Sequence, residues 1–476
     1  MFNFSTHNFK QNHSIKSQKE TFMFTKNNIQ KKFVAIFFVL ISWSCTLLTH
    51  HVSDWTFAVY MEAGTTDMHY WIHKNMNAMA QAQTDYKKLN IVVQVHLESS
   101  EAWRYVIRKG AIKPVATNTC DNDCGKNVVD FMQWVVKNYP AKHYGLIAWG
   151  NGFGILDPYH QTTSPDLFAW DVEPDEPLHE CVGGVCPIKK IKLYLDDHSR
   201  YHRHESRTLP RRGFMFTEEN TFINNATMIA TLKTIKETIL KGKNLDILGT
   251  DCCKMAMLEV GYQLKNFVQF LVGSQNCELK DGWNYKGLFS SFNEPMDAVA
   301  AAQAIVKTYD DYYTQHTIQN TYTIAALDLS HIDPLVANLN EVVALSKKLF
   351  AENKALFTDL VIKARTNSPS MCQASYYLDM AAVYANLVTE LSKPEAEVLN
   401  AETVAALKIV LMQGQELINK LVTAKALGSA VKNMHGMSFY FPRNRIEASY
   451  LTTPFAQETA WLSFLQEIVQ TPTVCA

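Results

Sequence analysis

Apolar residues in this chain fall into short, nearly continuous runs separated by stretches of helical periodicity. Trp55–Met61, Asn90–Leu97, Tyr144–Trp149, residues 245–250 and Phe270–Ser274 each read as a buried strand. Thr321–Leu327 and Met437–Phe441 read as late strands. Between them, residues 68–84, 126–138 and 227–241 carry apolar positions at helical spacing. Strands without polar alternation are buried on both faces, and their alternation with helices predicts a mostly parallel α/β sheet with helices on each side.

Two regions break that rhythm. Residues 157–212 contain Asp157-Pro158, Glu173-Pro174-Asp175-Glu176-Pro177 and a basic stretch from Lys189 to Arg212, and they read as a long surface loop. His198, His202 and His204 lie within it and read as solvated, not as metal ligands. Residues 296–476 form a mostly helical extension, punctuated by Pro334, Pro369 and Pro394, that returns the strand near Met437 to the core. The organisation predicted is therefore a leader over 1–50, an α/β core over 51–295 and the extension over 296–476. No internal repeat is evident.

The leader carries Lys10, Lys16, Lys19, Lys26, Lys31 and Lys32 against Glu20. A hydrophobic segment within residues 33–49 follows. A basic segment before an apolar run predicts a secretory signal peptide or an uncleaved signal anchor. Initiation at Met23 would give a compact basic region, and Ser42-Trp43-Ser44 is a poor approach to a lipoprotein site at Cys45. Export is thus expected, with the membrane met only through this segment. The 476 residues carry a formal net charge of -1 and are 47% hydrophobic. That balance gives ample core and no global argument for binding nucleic acid.

Export also changes the reading of the 10 cysteines. Cys120–Cys124 and Cys181–Cys186 look like local disulfide staples in turn-rich sequence. A four-cysteine zinc site is the competing reading. The distance between the pairs and the acidity of Asp121 and Asp123 disfavour it.

Chemistry concentrates at two strand ends. After residues 245–250 the chain reads Asp251-Cys252-Cys253-Lys254, with a helix expected from 254. Open α/β sheets bind ligands at strand carboxyl ends, and a helix N-terminus favours a thiolate. After Tyr144–Trp149 the chain reads Gly150-Asn151-Gly152-Phe153-Gly154. If the two strands are neighbours, Asn151 and Cys253 face across one crevice, and the glycines can offer backbone N–H groups to an oxyanion. Cys252 reads as a small core residue. Asp251 has two readings, a cap for the helix that follows or a specificity residue. The glycine spacing does not fit a dinucleotide-binding loop.

These pieces together resemble the clostripain family of cysteine peptidases. The resemblance is carried by Trp55–Met61, Asn90–Gln94, Arg104-Tyr105, Tyr139–Ile147, Trp149–Gly154, Asp251–Ala256 with Glu259-Val260, and Asp281–Tyr285, in that order. It implies a caspase-like α/β/α sandwich. It also implies a peptide or protein substrate cleaved after Arg or Lys, read by the acid at Asp251, and a nucleophile at Cys253. No cofactor is expected, and calcium follows from the resemblance alone. The family's Trp-x-His-Gly-x-Gly motif supplies a dyad histidine, and here that position is Asn151, beside Gly152 in the oxyanion region. An amide neither accepts nor delivers a proton near neutral pH, so impaired cleavage is expected. The alternative is a non-catalytic protein that binds basic peptides or serves at the cell envelope. Among other histidines, His143 is expected at the far end of its strand, His96 as a packing or rim residue and His160 on the long loop. The family often self-cleaves in the corresponding loop. The basic stretch 189–212 is the matching site, with no efficient self-cleavage expected.

Overall fold

The computed structural model describes residues 51–62, 68–82, 84–96, 101–121, 123–157, 223–316, 320–372 and 374–469. The leader, most of the long loop with His160, His198, His202 and His204, and the cysteines Cys181 and Cys186 lie outside the described residues.

The continuous apolar runs become strands. In chain order they are β1 (Ser53–Glu62), β2 (Leu89–His96), β3 (Glu101–Arg108), β4 (Ala111–Thr119), β5 (Ala141–Trp149), β6 (Leu245–Asp251), β7 (Val268–Gly273), β8 (Thr323–Asp328), β9 (Ser370–Met371), β10 (Ala374–Asp379), β11 (Val422–Leu427) and β12 (Ser438–Tyr440). Nine of them form one sheet in the order β11-β8-β7-β6-β5-β1-β2-β3-β4. The central pairings, β7 with β6, β6 with β5, β5 with β1 and β1 with β2, are parallel. The outer pairings at both edges are antiparallel.

Side chains alternate between the two faces of this sheet, as strand geometry requires. Phe57, Val59, Ile147 and Ile247 join one buried cluster. Ala58, Tyr60, Leu146 and Leu248 join the other. The first cluster packs under the helices Met68–Ala80, Tyr285–Ser291 and Ala298–His316. The second packs under Cys124–Asn138, Asn225–Thr234 and the long helix Ile332–Thr366. The result is the α/β/α sandwich expected from the alternation, with a helical C-terminal part.

The strand near Met437 forms as β12, with Phe439 and Tyr440 fully buried, and pairs with β10 in a separate three-stranded sheet, β12-β10-β9. That sheet is tied to the core through the Glu259 carboxylate, which accepts from the Tyr440 N–H at 2.7 Å, and through the Ser438 N–H donating to Ala256 O at 3.0 Å. One expectation is corrected: the staple between Cys120 and Cys124 is not formed. Both remain thiols, Cys124 opening the helix that Asp123 caps from its carboxylate.

The strand order sets where a ligand can enter. β1 connects onward to β2 on one side, whereas β5 leads to β6 on the other. The sheet therefore changes direction between β1 and β5, and their carboxyl ends open a crevice there. Glu62, Trp149 and Asp251 are the last residues of β1, β5 and β6 along that edge.

Candidate functional site

The two strand ends singled out in the sequence are neighbours. β5 and β6 run in register with Trp149 opposite Asp251. Just past that pair the backbones stay in contact. The Gly150 N–H donates to Asp251 O at 3.4 Å, and a methyl group at Gly152 would lie 2.4 Å from the Cys253 carbonyl oxygen. Only a residue without Cβ fits at that approach. Asn151 and Cys253, both half-buried, thus stand on adjoining segments of one rim.

The local structure after β6 differs from expectation. No helix starts at 254. The chain turns through Cys252–Ala256, and the next helix, Leu258–Leu264, begins after an uncapped Met257. Lys254 adopts φ +62°, a left-handed conformation that a side-chain-bearing residue seldom takes. Its N–H donates to Asn276 O at 2.8 Å, which holds the turn against the segment after β7. The helix N-terminus is therefore not what acts on Cys253.

Cys253 is perturbed by other means. Its thiol is lowered to about 7, first by a hydrogen bond from the Cys277 thiol, then by the Lys254 ammonium and the Glu278 N–H, against the opposing effect of burial. The Glu278 N–H lies 3.1 Å from Cys253 Sγ. Lys254 is 4% exposed, and its ammonium sits 5.7 Å from the centroid of the Phe153 ring, two residues past Asn151. Cys252 is fully buried and donates to Ala148 O at 3.2 Å; burial pushes its thiol well up, as befits a core residue.

Asp251 is no helix cap. Its carboxylate accepts from the Trp283 N–H at 3.1 Å and from the Tyr285 hydroxyl at 2.8 Å. Gly282, at φ +67°, lets the chain pass so close that a methyl group there would lie 2.8 Å from Asp251 Oδ2. Burial raises Asp251 to about 7, despite those hydrogen bonds. Beside it, burial followed by the charge of Asp251 raises Glu278 well above the usual carboxylate range. Both oxygens of Glu278 are buried without a well-formed hydrogen bond, and the Tyr309 hydroxyl offsets the charge in part. Glu278 was missed in the sequence. Its signal was position alone, in the loop that follows β7 at the same edge of the sheet.

Three of the described histidines are engaged in pairs of their own. His143 lies near the start of β5, where its ring stacks on Trp55 and its Nδ1 is 2.8 Å from Asp246 Oδ1. His96 ends β2, separated from β6 by β1 and β5, and therefore about 14 Å away at about 4.8 Å per strand. Its Nδ1 is 2.9 Å from Glu62 Oε2. Burial draws its pKa down, but hydrogen bonds with Cys120 and Glu62 carry it up to about 10. His435 pairs through Nδ1 with the buried Asp379 carboxylate at 2.8 Å. Arg104 likewise serves the scaffold, its Nε donating to Gln94 Oε1 at 2.8 Å while a second nitrogen pairs with Asp130.

Among the described residues, no group of three or more His, Cys, Asp or Glu side chains could hold a metal ion, and no helix is long and apolar enough to cross a membrane.

Residues 59–178 and 188–469 match the sequence model of the clostripain family. None of the curated proteins matches the chain. A secreted C11 cysteine protease from Bacteroides thetaiotaomicron, solved with an irreversible peptide inhibitor, is 15% identical over 87% of this chain and 99% of its own, with a TM-score of 0.55. An inactive zymogen C11 protease from Parabacteroides distasonis is 16% identical over 88% of this chain and 99% of its own, with a TM-score of 0.51. At such identities the two structures bear on the fold, which is the caspase-like sandwich described above.

Proposed function

Since the chain belongs to the clostripain family of cysteine peptidases, we propose that it binds peptides with a basic residue at this crevice and cleaves them poorly or not at all. Cys253 stands at the nucleophile position. Asn151 stands where the general base is required, and Gly152 offers its N–H to the oxyanion region. Asp251 faces the basic side chain of the peptide.

The observation that carries this reading is the pairing of a prepared thiol with an amide. Cys253 titrates near neutral pH without help from an imidazole. Thiolate attack on a carbonyl is therefore within reach. Cleavage also needs a proton for the departing amine, and an asparagine side chain has none to give. Loss of a general acid–base group lowers rate by about 10²–10⁴.

The preference for Arg or Lys is supported by charge. Asp251 and Glu278 are two buried carboxyls close enough for the charge of one to raise the other, and the Tyr309 hydroxyl offsets the charge of Glu278 only in part. A guanidinium or ammonium entering between them would relieve the repulsion and favour the ionised forms of both. An accessory binding role, with no turnover, is favoured by the same amide at Asn151. Export through the apolar segment at residues 33–49 agrees with the secreted nature of the Bacteroides relative.

An arginyl chloromethyl ketone tests the thiol: covalent capture at Cys253 is expected. Binding of Arg-containing peptides to Cys253→Ala tests the pocket, and failure of both Arg and Lys peptides to bind would overturn the specificity. Hydrolysis of Arg-amide substrates at the rate of histidine-bearing relatives would overturn the impairment.

A further inference from the structure

Cys253 does not stand alone. Cys277 and Glu278 are consecutive, and the Cys277 thiol and the Glu278 N–H converge on the same sulfur of Cys253. On its other side the Cys277 thiol lies 3.8 Å from Cys372 O. The Cys372 N–H is held by Asn276 Oδ1 at 2.7 Å, which pins the Cys372 turn to the segment carrying Cys277. All three cysteines are half-buried residues with free thiols. The buried Lys254 ammonium supplies the nearby positive charge and favours the thiolates of both Cys253 and Cys372.

Cys277 has one proton and two neighbours that draw on it. When it donates to Cys253, that sulfur is favoured as a thiolate, with a second thiol on the residue next to the Glu278 N–H that lies 3.1 Å from it. This is the arrangement of an attacking cysteine beside a resolving cysteine, and it requires no histidine. The amide at Asn151 removes a requirement of peptide cleavage and leaves this chemistry untouched.

We propose that the crevice is a thiol–disulfide exchange site whose substrates are small-molecule disulfides, with Cys253 as the attacking thiol and Cys277 as the resolving one. The Cys253 thiolate attacks one sulfur of a disulfide RS–SR, forming a Cys253–SR mixed disulfide and releasing RS⁻. Cys277, having passed its proton to solvent, then attacks Cys253 Sγ. A Cys253–Cys277 disulfide forms and the second RS⁻ departs. Two protein thiols are oxidised and one external disulfide is reduced. An external dithiol restores the starting state. The oxidised form has no thiolate at Cys253 and cannot react with an electrophilic peptide.

The inference does not rest on the basic-peptide reading, because its test uses no peptide. The purified full chain is reduced, freed of reductant and treated with glutathione disulfide. Remaining thiols are blocked, and the protein is digested and examined by mass spectrometry without reduction. The expected product links Cys253 to Cys277, with iodoacetamide labelling of Cys253 lost and then restored by dithiothreitol. In Cys277→Ser the reaction is expected to stop at a glutathione adduct on Cys253, and in Cys372→Ser the Cys253–Cys277 link is expected to form still. The proposal is overturned if the wild-type chain keeps all three thiols, if it keeps a stable glutathione adduct on Cys253, or if Cys277 links only to Cys372. The wild-type cross-link decides the matter even if a variant fails to fold.

Discussion

The carboxyl ends of β5 and β6 lie side by side and differ in what they hold. The β6 end carries a thiol at Cys253 lowered to about 7, a buried acid at Asp251 and a buried ammonium at Lys254. The β5 end carries Gly150-Asn151-Gly152, two glycines and one amide, without a titrating group. The backbone between them is as close as proteins allow, since a Cβ at Gly152 would strike the Cys253 carbonyl. The lesson is that geometry and proton chemistry are separable here. The frame that sets residue 151 on the segment next to Cys253 is held by main chain and glycine.

The strongest way to break that contrast is to give the β5 end a base. Asn151→His is expected to raise hydrolysis of Arg-amide substrates by about 10²–10⁴, measured as kcat/KM at neutral pH. A null result with the variant folded would show that the β6 end is also unfit for cleavage. A second substitution sharpens the role of the frame. Gly152→Ala forces a methyl group against backbone that cannot rotate away, and a loss of about 1–3 kcal/mol in urea unfolding is expected. Asn151→Ala next to it should stay within about 0.5 kcal/mol of the parent chain.

The thiol side can be read by its pH profile. Alkylation of Cys253 should reach half its limiting rate near pH 7, because Cys277, Lys254 and the Glu278 N–H all favour its thiolate. Cys277→Ala is expected to move the midpoint upward, by loss of the first of those partners. Cys252, fully buried, should remain unlabelled until the protein unfolds.

The smallest effect concerns Asp251. Burial raises it to about 7, whereas an unfolded Asp titrates near about 3.9. Between these values the folded chain binds a proton that the unfolded chain has released. This contribution to stability is therefore full below about pH 3.9 and disappears as pH rises through about 7. Asp251→Asn should make the unfolding free energy less pH-dependent in that window, by at most ~1.4 kcal/mol per pH unit. Glu62 and Glu259, also raised to about 7 by burial, keep a slope of the same sign. An unchanged slope would show that Asp251 is ionised in the folded protein.

The parallel heart of the sheet was legible because its strands are buried on both faces. Trp55–Met61 and residues 245–250 are apolar nearly throughout, and such runs leave little else for the chain to do. The hairpin of β3 and β4 was not read. β4 is an outer strand with an exposed Lys113-Pro114-Val115 segment, so it shows neither a continuous apolar run nor clean alternation. Its turn at Lys109-Gly110, with φ values of +50° and +73°, was the available cue. The second sheet escaped because β9, β10 and β12 are short and meet from distant parts of the chain.

At the site, Cys253 and Asn151 were singled out from motif order, and the structure sets them on adjoining segments. What surrounds them was not. The wrap of Asp281–Tyr285 around Asp251 was present as a matched segment, but its partner was invisible until Trp283 and Tyr285 were seen donating to that carboxylate. The meeting of Cys253, Cys277 and Cys372 depends on segments far apart in sequence, and no local pattern reports such a meeting. The helix expected at 254 was misplaced because the turn is held by the Asn276 carbonyl, a tertiary contact that overrides local propensity.

The close approach at Gly152 also has a bearing on the history of the chain. The rim is shaped by backbone and glycine on either side of position 151. Either asparagine codon becomes a histidine codon by one base change. Position 151 can therefore pass between asparagine and histidine by a single substitution.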